Sequence, residues 1–432
     1  MSPKHPKLTL VAAEHSYFSA KARSFLRFKG KQDEFFTEVL STSDLYRQAI
    51  LPMVGVNFVP VLLVHDEQNG KILEAIQDTS LIIDYVERTF PDLPTIHPSA
   101  PKQRFVSYLI EVWADEWLKL PAMHYRWSYL EENRKYLLWE WGRASVPMLS
   151  ADEREREMTN STAKGPTFRT MSKTLPVLGI TKATAPEIER SFLELLDSLE
   201  THFRLYKYLL GDKPCLGDFA LIGPMYAHLF KDPKPSSIIR SKAPAFCDYI
   251  ERMNGLRPSY DTIKEYDKAT NSLRAVGVAP KGTPGRLGAV PSFGDYLLND
   301  EIPSTLIPVL QKIFEEHVPV LISTARELKT YIEGSSVAFD EQIPRTTGFH
   351  SFSLGGAVES RAAFPYDVWM LQRCMDSIDQ PDIVHRFIRT FSNGDLLLDN
   401  WGWINSDVRL RLVKFKLYRD PSIPGRLVQS RL

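Results

Sequence analysis

A proline inside an apolar run, Val59-Pro60-Val61-Leu62, and an acid–hydroxyl pair further on, Asp78-Thr79, have the residue types to hold a peptide-like acid. Proline donates nothing to a strand ladder, so it belongs at a first position, an edge or a bend. A cis bond before Pro60 makes such a bend and turns the amide and carbonyl of Val59 outward, toward an extended ligand. Asp78-Thr79 then opens a helix whose apolar stripe is Leu81, Ile82 and Tyr85. A helix start offers unpaired amides and the positive end of the dipole, which suits a carboxylate. Either motif alone also fits an ordinary strand edge or an ordinary capped helix.

The elements that must position these residues follow from the local pattern. Leu8-Thr9-Leu10-Val11-Ala12 reads as a buried strand, and a helix through Phe25, Leu26 and Phe28 stops at Gly30. Phe35, Phe36, Val39 and Leu40 suit a second strand, and Asn69-Gly70 signals a hairpin between Val61–His65 and Lys71–Leu73. The predicted order is strand, helix, strand, helix or loop, strand, strand, helix, the order of the thioredoxin fold.

With both motifs at this spacing, the sequence resembles the glutathione transferases, whose first domain reads "VPxL" and then "(E/D)(S/T)xxIxxYL". Val59-Pro60-Val61-Leu62 and Asp78-Thr79-Ser80-Leu81-Ile82-Ile83-Asp84-Tyr85-Val86 match nearly position for position. The resemblance implies an α/β thioredoxin-like N-terminal domain, then a mostly α-helical domain with an additional C-terminal extension. It also assigns chemistry to the first strand-to-helix junction, where relatives carry "CPxxxxxR" or "SPxxxxxR". This chain has Ser16-Tyr17-Phe18-Ser19-Ala20-Lys21-Ala22-Arg23. Ser16 would donate to the sulfur of glutathione, favouring thiolate over thiol. Tyr17 replaces the usual proline, and Tyr17 and Ser19 offer further hydroxyls for that role. Serine at this position argues against thiol transfer through a protein mixed disulfide. Ser16 also fits a plain helix cap.

Composition bounds the rest. In 432 residues, 53 basic side chains balance 53 acidic ones, so there is no electrostatic case for nucleic acid as partner. Cys215, Cys247 and Cys374 are widely spaced, without a CxxC or a metal-ligand cluster, which fits a reducing, cytoplasmic setting. No apolar segment precedes the first strand as a secretory signal would, and no run has the length to span a bilayer.

Three regions are predicted. Residues 1–92 form the thioredoxin-like, glutathione-binding domain. Residues 100–270 form an all-helical domain with an insertion at about 140–185, after a stiff linker from Pro91 to Pro101. The insertion holds the charge run Asp152–Glu157 and the breakers Gly165-Pro166 and Leu175-Pro176. The first helix of the all-helical domain carries Phe105, Val106, Leu109, Ile110, Val112, Trp113 and Trp117, and His124, Tyr125, Arg126, Trp127 and Tyr129 continue it as core or as a pocket wall. Asp218 suits a capping box with Cys215 at the cap position. Residues 285–432 form a C-terminal extension packed on the helical domain, after the link Pro280–Gly285. In it, helical periods run over Leu306–Leu328 and Tyr366–Ile378, Asp399–Trp403 is read as a turn, and Val408–Phe415 alternates like a half-exposed strand. Asp300-Glu301, Arg345, His350, Arg361 and Arg373 either converge on an anion or seal the extension by ion pairs.

By resemblance, the expected activity is that of a glutathione transferase. Glutathione serves as cosubstrate, held at Val59, Pro60, Asp78 and Thr79, and its thiolate attacks a small hydrophobic electrophile, aromatic ones included. No metal or membrane is involved, and the family's usual assembly is a homodimer. Two alternatives use the same residues: a non-catalytic interaction or scaffold protein, and a glutathione-dependent lyase, isomerase or dehalogenase.

Overall fold

The computed structural model describes residues 6–30, 35–56, 58–161, 171, 173–255, 262–267, 272–278, 294–414 and 416–421. The expected links Pro280–Gly285 and Gly165-Pro166 lie outside these residues.

Strands β1 (Lys7–Ala12), β2 (Phe36–Leu40), β3 (Val61–His65) and β4 (Ile72–Gln77) form one sheet in the order β2-β1-β3-β4. β1 runs parallel to β2, and β3 is antiparallel to both β1 and β4. Helices α1 (Tyr17–Lys29) and α2 (Thr79–Thr89) belong to this layer. The chain is therefore thioredoxin-like in its first part. The β3–β4 connection is wider than a two-residue hairpin: Asp66 accepts from the Gln68 and Asn69 amides at 2.9 and 3.1 Å, and Asn69-Gly70 closes the turn. Gly30 ends α1 as expected, but in an extended conformation rather than a left-handed one.

The second part is helical: α3 (Pro101–Val112), α4 (Lys119–Ser128), α5 (Leu130–Ser145), α6 (Ala151–Ser161), α7 (Ala185–Phe203), α8 (Leu216–Pro224), α9 (Pro233–Lys242) and α10 (Pro244–Met253). α3 passes into a π-helical segment, Trp113–Trp117, before α4. The region expected to be helical throughout ends in a strand pair, β5 (Thr262–Asp267) with β6 (Ser272–Val278). The aromatic cluster of α4 is core: Tyr125 and Trp127 are buried, and Tyr125 packs on Phe192 of α7.

The third part holds α11 (Val318–Gly334), the hairpin β8–β9 (Phe349–Leu354 and Ala357–Ala362), α12 (Pro365–Asp376), α13 (Pro381–Ile388) and α14 (Gly394–Ser406). A short strand β7 (Gln342–Ile343) pairs with β11 (Lys416–Arg419), which in turn pairs with β10 (Leu410–Val413). Asp399-Asn400-Trp401-Gly402-Trp403 lies inside α14 and is not a turn. The apolar residues Leu397 and Ile404, seven apart on one helix face, bury there and override the glycine.

All three parts share one core. Leu10 and Ile83 of the first, Ile110 and Phe219 of the second, and Leu310, Leu371 and Leu397 of the third belong to one contiguous cluster. On α12, Val368, Met370, Leu371 and Cys374 are fully buried. Each such side chain is worth about 1.5–3 kcal/mol of transfer free energy, which makes α12 a structural member rather than a flap.

Candidate functional site

The sheet register collects the expected ligand residues at one end. Val11 of β1 lies opposite Val61 of β3, and Val61 lies opposite Gln77 of β4. Ser16 follows Val11 by five residues, Val59 precedes Val61 by two, and Asp78 follows Gln77 directly. Antiparallel pairing thus brings three loops from distant positions to a common edge.

The Val59-Pro60 bond is cis. Pro60 is buried and Val59 half-buried, ahead of the ladder that starts at Val61. The approach to this bend is held by Tyr46, whose hydroxyl accepts from the Phe58 amide at 2.9 Å and lies 2.6 Å from the Phe58 carbonyl. Gln77 donates to the same carbonyl at 2.6 Å.

Asp78 adopts φ 86°, ψ 129°, a region that a side chain enters at a cost of about 1–3 kcal/mol. Its Oδ1 accepts from the Ser80 and Leu81 amides at 2.9 and 3.4 Å and caps α2. Oδ2 accepts from the hydroxyl of Tyr366, the second residue of α12. Burial pushes the Asp78 carboxyl up, against the Tyr366 hydrogen bond, the Lys21 charge, the Ser80 amide and the Arg373 charge, which pull it down. Thr79, the first residue of α2, is buried beside it.

The three hydroxyls at the start of α1 differ in surroundings. Ser16 caps the helix, half-buried, with its Oγ accepting from the Ser19 amide at 3.3 Å. That bond uses a lone pair and leaves the hydroxyl hydrogen to donate. Tyr17 is buried, donates to the Ala114 carbonyl and packs edge-on to His228. Ser19 is fully buried and accepts from the Ala13 amide at 3.3 Å. The loop before Ser16 is clamped from the helical part. Arg126 donates to the His15 carbonyl at 3.0 Å while Asp232 grips its guanidinium at 2.6 and 2.8 Å. Burial, then the Arg126 charge, lowers the His15 imidazole to about 3, so it stands neutral.

Beneath the site lies a buried charge cluster that the sequence pattern does not signal. Lys21 of α1 pairs with Glu111 at 2.7 Å and Asp115 at 2.6 Å, and Ser80 donates to Glu111 at 3.0 Å. Burial pulls the Lys21 ammonium's pKa down, but the Asp115 and Glu111 carboxylates outweigh it and raise it above the ordinary lysine value. Burial, partly offset by Lys21, raises Asp115 to about 7. The neighbouring Glu116 rises to about 8 through burial and the proximity of Asp367, against Lys119. The π-helical turn places these adjacent acids in separate pairs, Asp115 with Lys21 and Glu116 with Lys119.

The charged residues of the extension do not converge. Asp300 caps α3, accepting from the Lys102 and Gln103 amides at 2.9 and 3.0 Å. Arg361 pairs with Asp367 at 3.3 Å, Arg373 with Asp84 at 2.6 Å, and His350 with Thr324 at 3.1 Å. The Arg345 guanidinium lies over the Phe58 ring, 4.5 Å from its centroid. Lys21 and Tyr366 escape sequence reasoning for different reasons: a lone lysine between alanines carries no pattern, and Tyr366 lies 288 residues from Asp78. All three cysteines are buried and unbridged. Among the described residues no group of three or more His, Cys, Asp or Glu is placed to hold a metal ion, and no helix is long and apolar enough to cross a membrane. A separate cavity of about 470 Å³ lies between α7, α11 and the β8–β9 hairpin, lined in part by Arg190, Lys312 and Glu316.

Comparison with known proteins bears directly on this arrangement. Residues 10–94 match the family model of the glutathione S-transferase N-terminal domain, and residues 164–256 match that of the C-terminal domain. No curated protein matched the chain. Among solved structures, β-etherase LigF from Sphingobium sp. strain SYK-6 is 19% identical, over 58% of this chain and 96% of that one, with a TM-score of 0.40. A glutathione S-transferase of Ceriporiopsis subvermispora in complex with glutathione is 15% identical, over 60% and 100% of the two chains, with a TM-score of 0.36. FzlA from C. crescentus is 16% identical, over 58% and 91%, with a TM-score of 0.35. The two domain matches, which fall on the thioredoxin-like layer and on the later helices of the second part, carry the assignment: the chain belongs to the glutathione S-transferase superfamily.

Proposed function

We propose that this protein is a glutathione-dependent enzyme that activates glutathione as a thiolate for attack on a small hydrophobic electrophile. The observation that carries this reading is the register-enforced meeting of Ser16, Val59 and Asp78-Thr79 at one end of the sheet. Asp78 receives the ammonium of the γ-glutamyl end, and the amide end of α2 at Thr79 receives its carboxylate. Val59, held outside the ladder by the bend at Pro60, pairs with the cysteinyl backbone. Ser16 donates its hydroxyl hydrogen to the sulfur. A hydrogen bond to the charged form stabilises it, and lowering a thiol by about two pKa units asks for ~2.7 kcal/mol. The thiol proton leaves to solvent, the thiolate forms a bond to the electrophilic carbon, and the leaving group departs with the bonding pair. Ser16 is favoured over Tyr17 and Ser19 because those two hydroxyls lie in the buried interior. The buried, unbridged cysteines support a reducing, cytoplasmic setting.

An ultraviolet difference titration of bound glutathione, in wild type and Ser16→Ala, tests this. A thiolate band near neutral pH that moves to higher pH in the variant is the expected result. A band unchanged by the substitution removes Ser16 from the role, and absence of glutathione binding overturns the enzyme reading. Product analysis after electrophile screening then separates conjugation from elimination, isomerisation and dehalogenation.

A further inference from the structure

Tyr366 reaches the ligand residues from the far end of the chain. Its hydroxyl donates to Asp78 Oδ2, while the Ser80 and Leu81 amides hold Oδ1. Both oxygens are therefore fixed by donors, and each keeps lone-pair capacity for another. The Tyr366 ring packs against Trp369, with centroids 5.1 Å apart. One and two turns further along α12, Met370 lies against Ser80 and Arg373 grips Asp84, both on α2. Because α12 is part of the common core, this contact is a permanent wall of the site and not a closing lid.

We propose that Tyr366 is a positioning residue of the ammonium subsite, orienting the Asp78 carboxylate toward the γ-glutamyl ammonium of glutathione. The C-terminal extension thereby completes a ligand site whose other members lie in the first 80 residues. This inference rests on the glutathione reading above. Without the hydroxyl, Oδ2 is a buried acceptor stripped of its donor, and the carboxylate turns away or takes up a proton; either change weakens its hold on an ammonium.

The test compares two ligands by calorimetry on the full chain: glutathione and its des-amino analogue, glutaryl-cysteinyl-glycine. Wild type is expected to prefer glutathione clearly. Tyr366→Phe keeps the ring against Trp369 and should lose roughly 5- to 20-fold in glutathione affinity, with less than about twofold loss for the analogue. Tyr366→His, which restores a donor, should recover part of that affinity. If Tyr366→Phe folds poorly by its melting curve, Tyr366→Met takes its place. Unchanged glutathione affinity, or equal losses for both ligands, overturns the positioning role while leaving the glutathione reading intact. A wild type that fails to bind glutathione, or binds the analogue equally well, overturns the reading on which the inference stands.

Discussion

Arg373 of α12 and Asp84 of α2 form a two-pronged ion pair, with nitrogen–oxygen distances of 2.6 and 3.1 Å. The pair ties the extension to the helix that Asp78 caps, and Arg373 also lies over the Trp369 ring at 5.3 Å. Burial opposes the charges, but Arg373 holds the Asp84 carboxyl below the usual range. Arg373→Leu should therefore cost about 1–3 kcal/mol in denaturant unfolding, the worth of charge-assisted hydrogen bonds at a partly solvated site. A cost near zero would show that apolar packing alone anchors α12.

The same packing bears on assembly. The family resemblance implies a homodimer formed across the first two domains, yet here α12 and α13 lie on α3, and α12 also reaches α2. A second copy would have to displace core residues to use those faces. Sedimentation equilibrium is expected to give the mass of one chain at micromolar concentration. A stable dimer would place the contact elsewhere on the molecule.

Much of the first part was legible because its signals are local. Pro60 within an apolar run, Asp78-Thr79 at a helix start and the continuous apolar stretch Val61–Val64 depend on neighbours in sequence. The site's other half was not legible, because it depends on contacts between distant segments. Lys21 finds Glu111 and Asp115 about 90 residues away, and Tyr366 finds Asp78 from another part of the fold. The reading of Asp399–Trp403 as a turn gave local weight to Asn400 and Gly402, whereas burial of Leu397 and Ile404 decided for helix.

Asp218 illustrates a local motif with a tertiary role. Its carboxylate accepts from the Cys215 amide at 2.8 Å, the Leu209 amide at 3.1 Å and the Tyr249 hydroxyl at 3.0 Å. Asp218→Ala removes the reciprocal half of the cap and strands two buried donors, the Cys215 and Leu209 amides, while the Tyr249 hydroxyl keeps the Asp218 carbonyl at 3.3 Å. A loss of about 2–4 kcal/mol is expected, from the cap together with the unsatisfied donors. A near-wild-type melting temperature would mean that water replaces the carboxylate.

The dependence of stability on pH should show a maximum near pH 6–7, set by two opposing groups. Burial lowers His15 to about 3, His202 to about 4 and His350 to about 4, and it holds His228 and His317 well below the ordinary imidazole value. Unfolded, these imidazoles take up protons below about pH 6.5 while the folded protein does not, so stability is lost as pH falls through that value. On the other side, burial raises Asp115 to about 7 and Glu116 to about 8. Between the ordinary carboxylate range and those values the folded state binds the extra protons, so stability falls as pH rises toward 8. Below pH 6.5 protonation of the unfolded imidazoles sets the slope, and between about 7 and 8 Asp115 and Glu116 set it. Glu116→Gln, which keeps the shape and removes the titration, should flatten the alkaline limb and leave the acid limb in place. Melting temperatures of both proteins between pH 5 and 9 measure this, and an unchanged alkaline limb in Glu116→Gln would assign that slope to other groups.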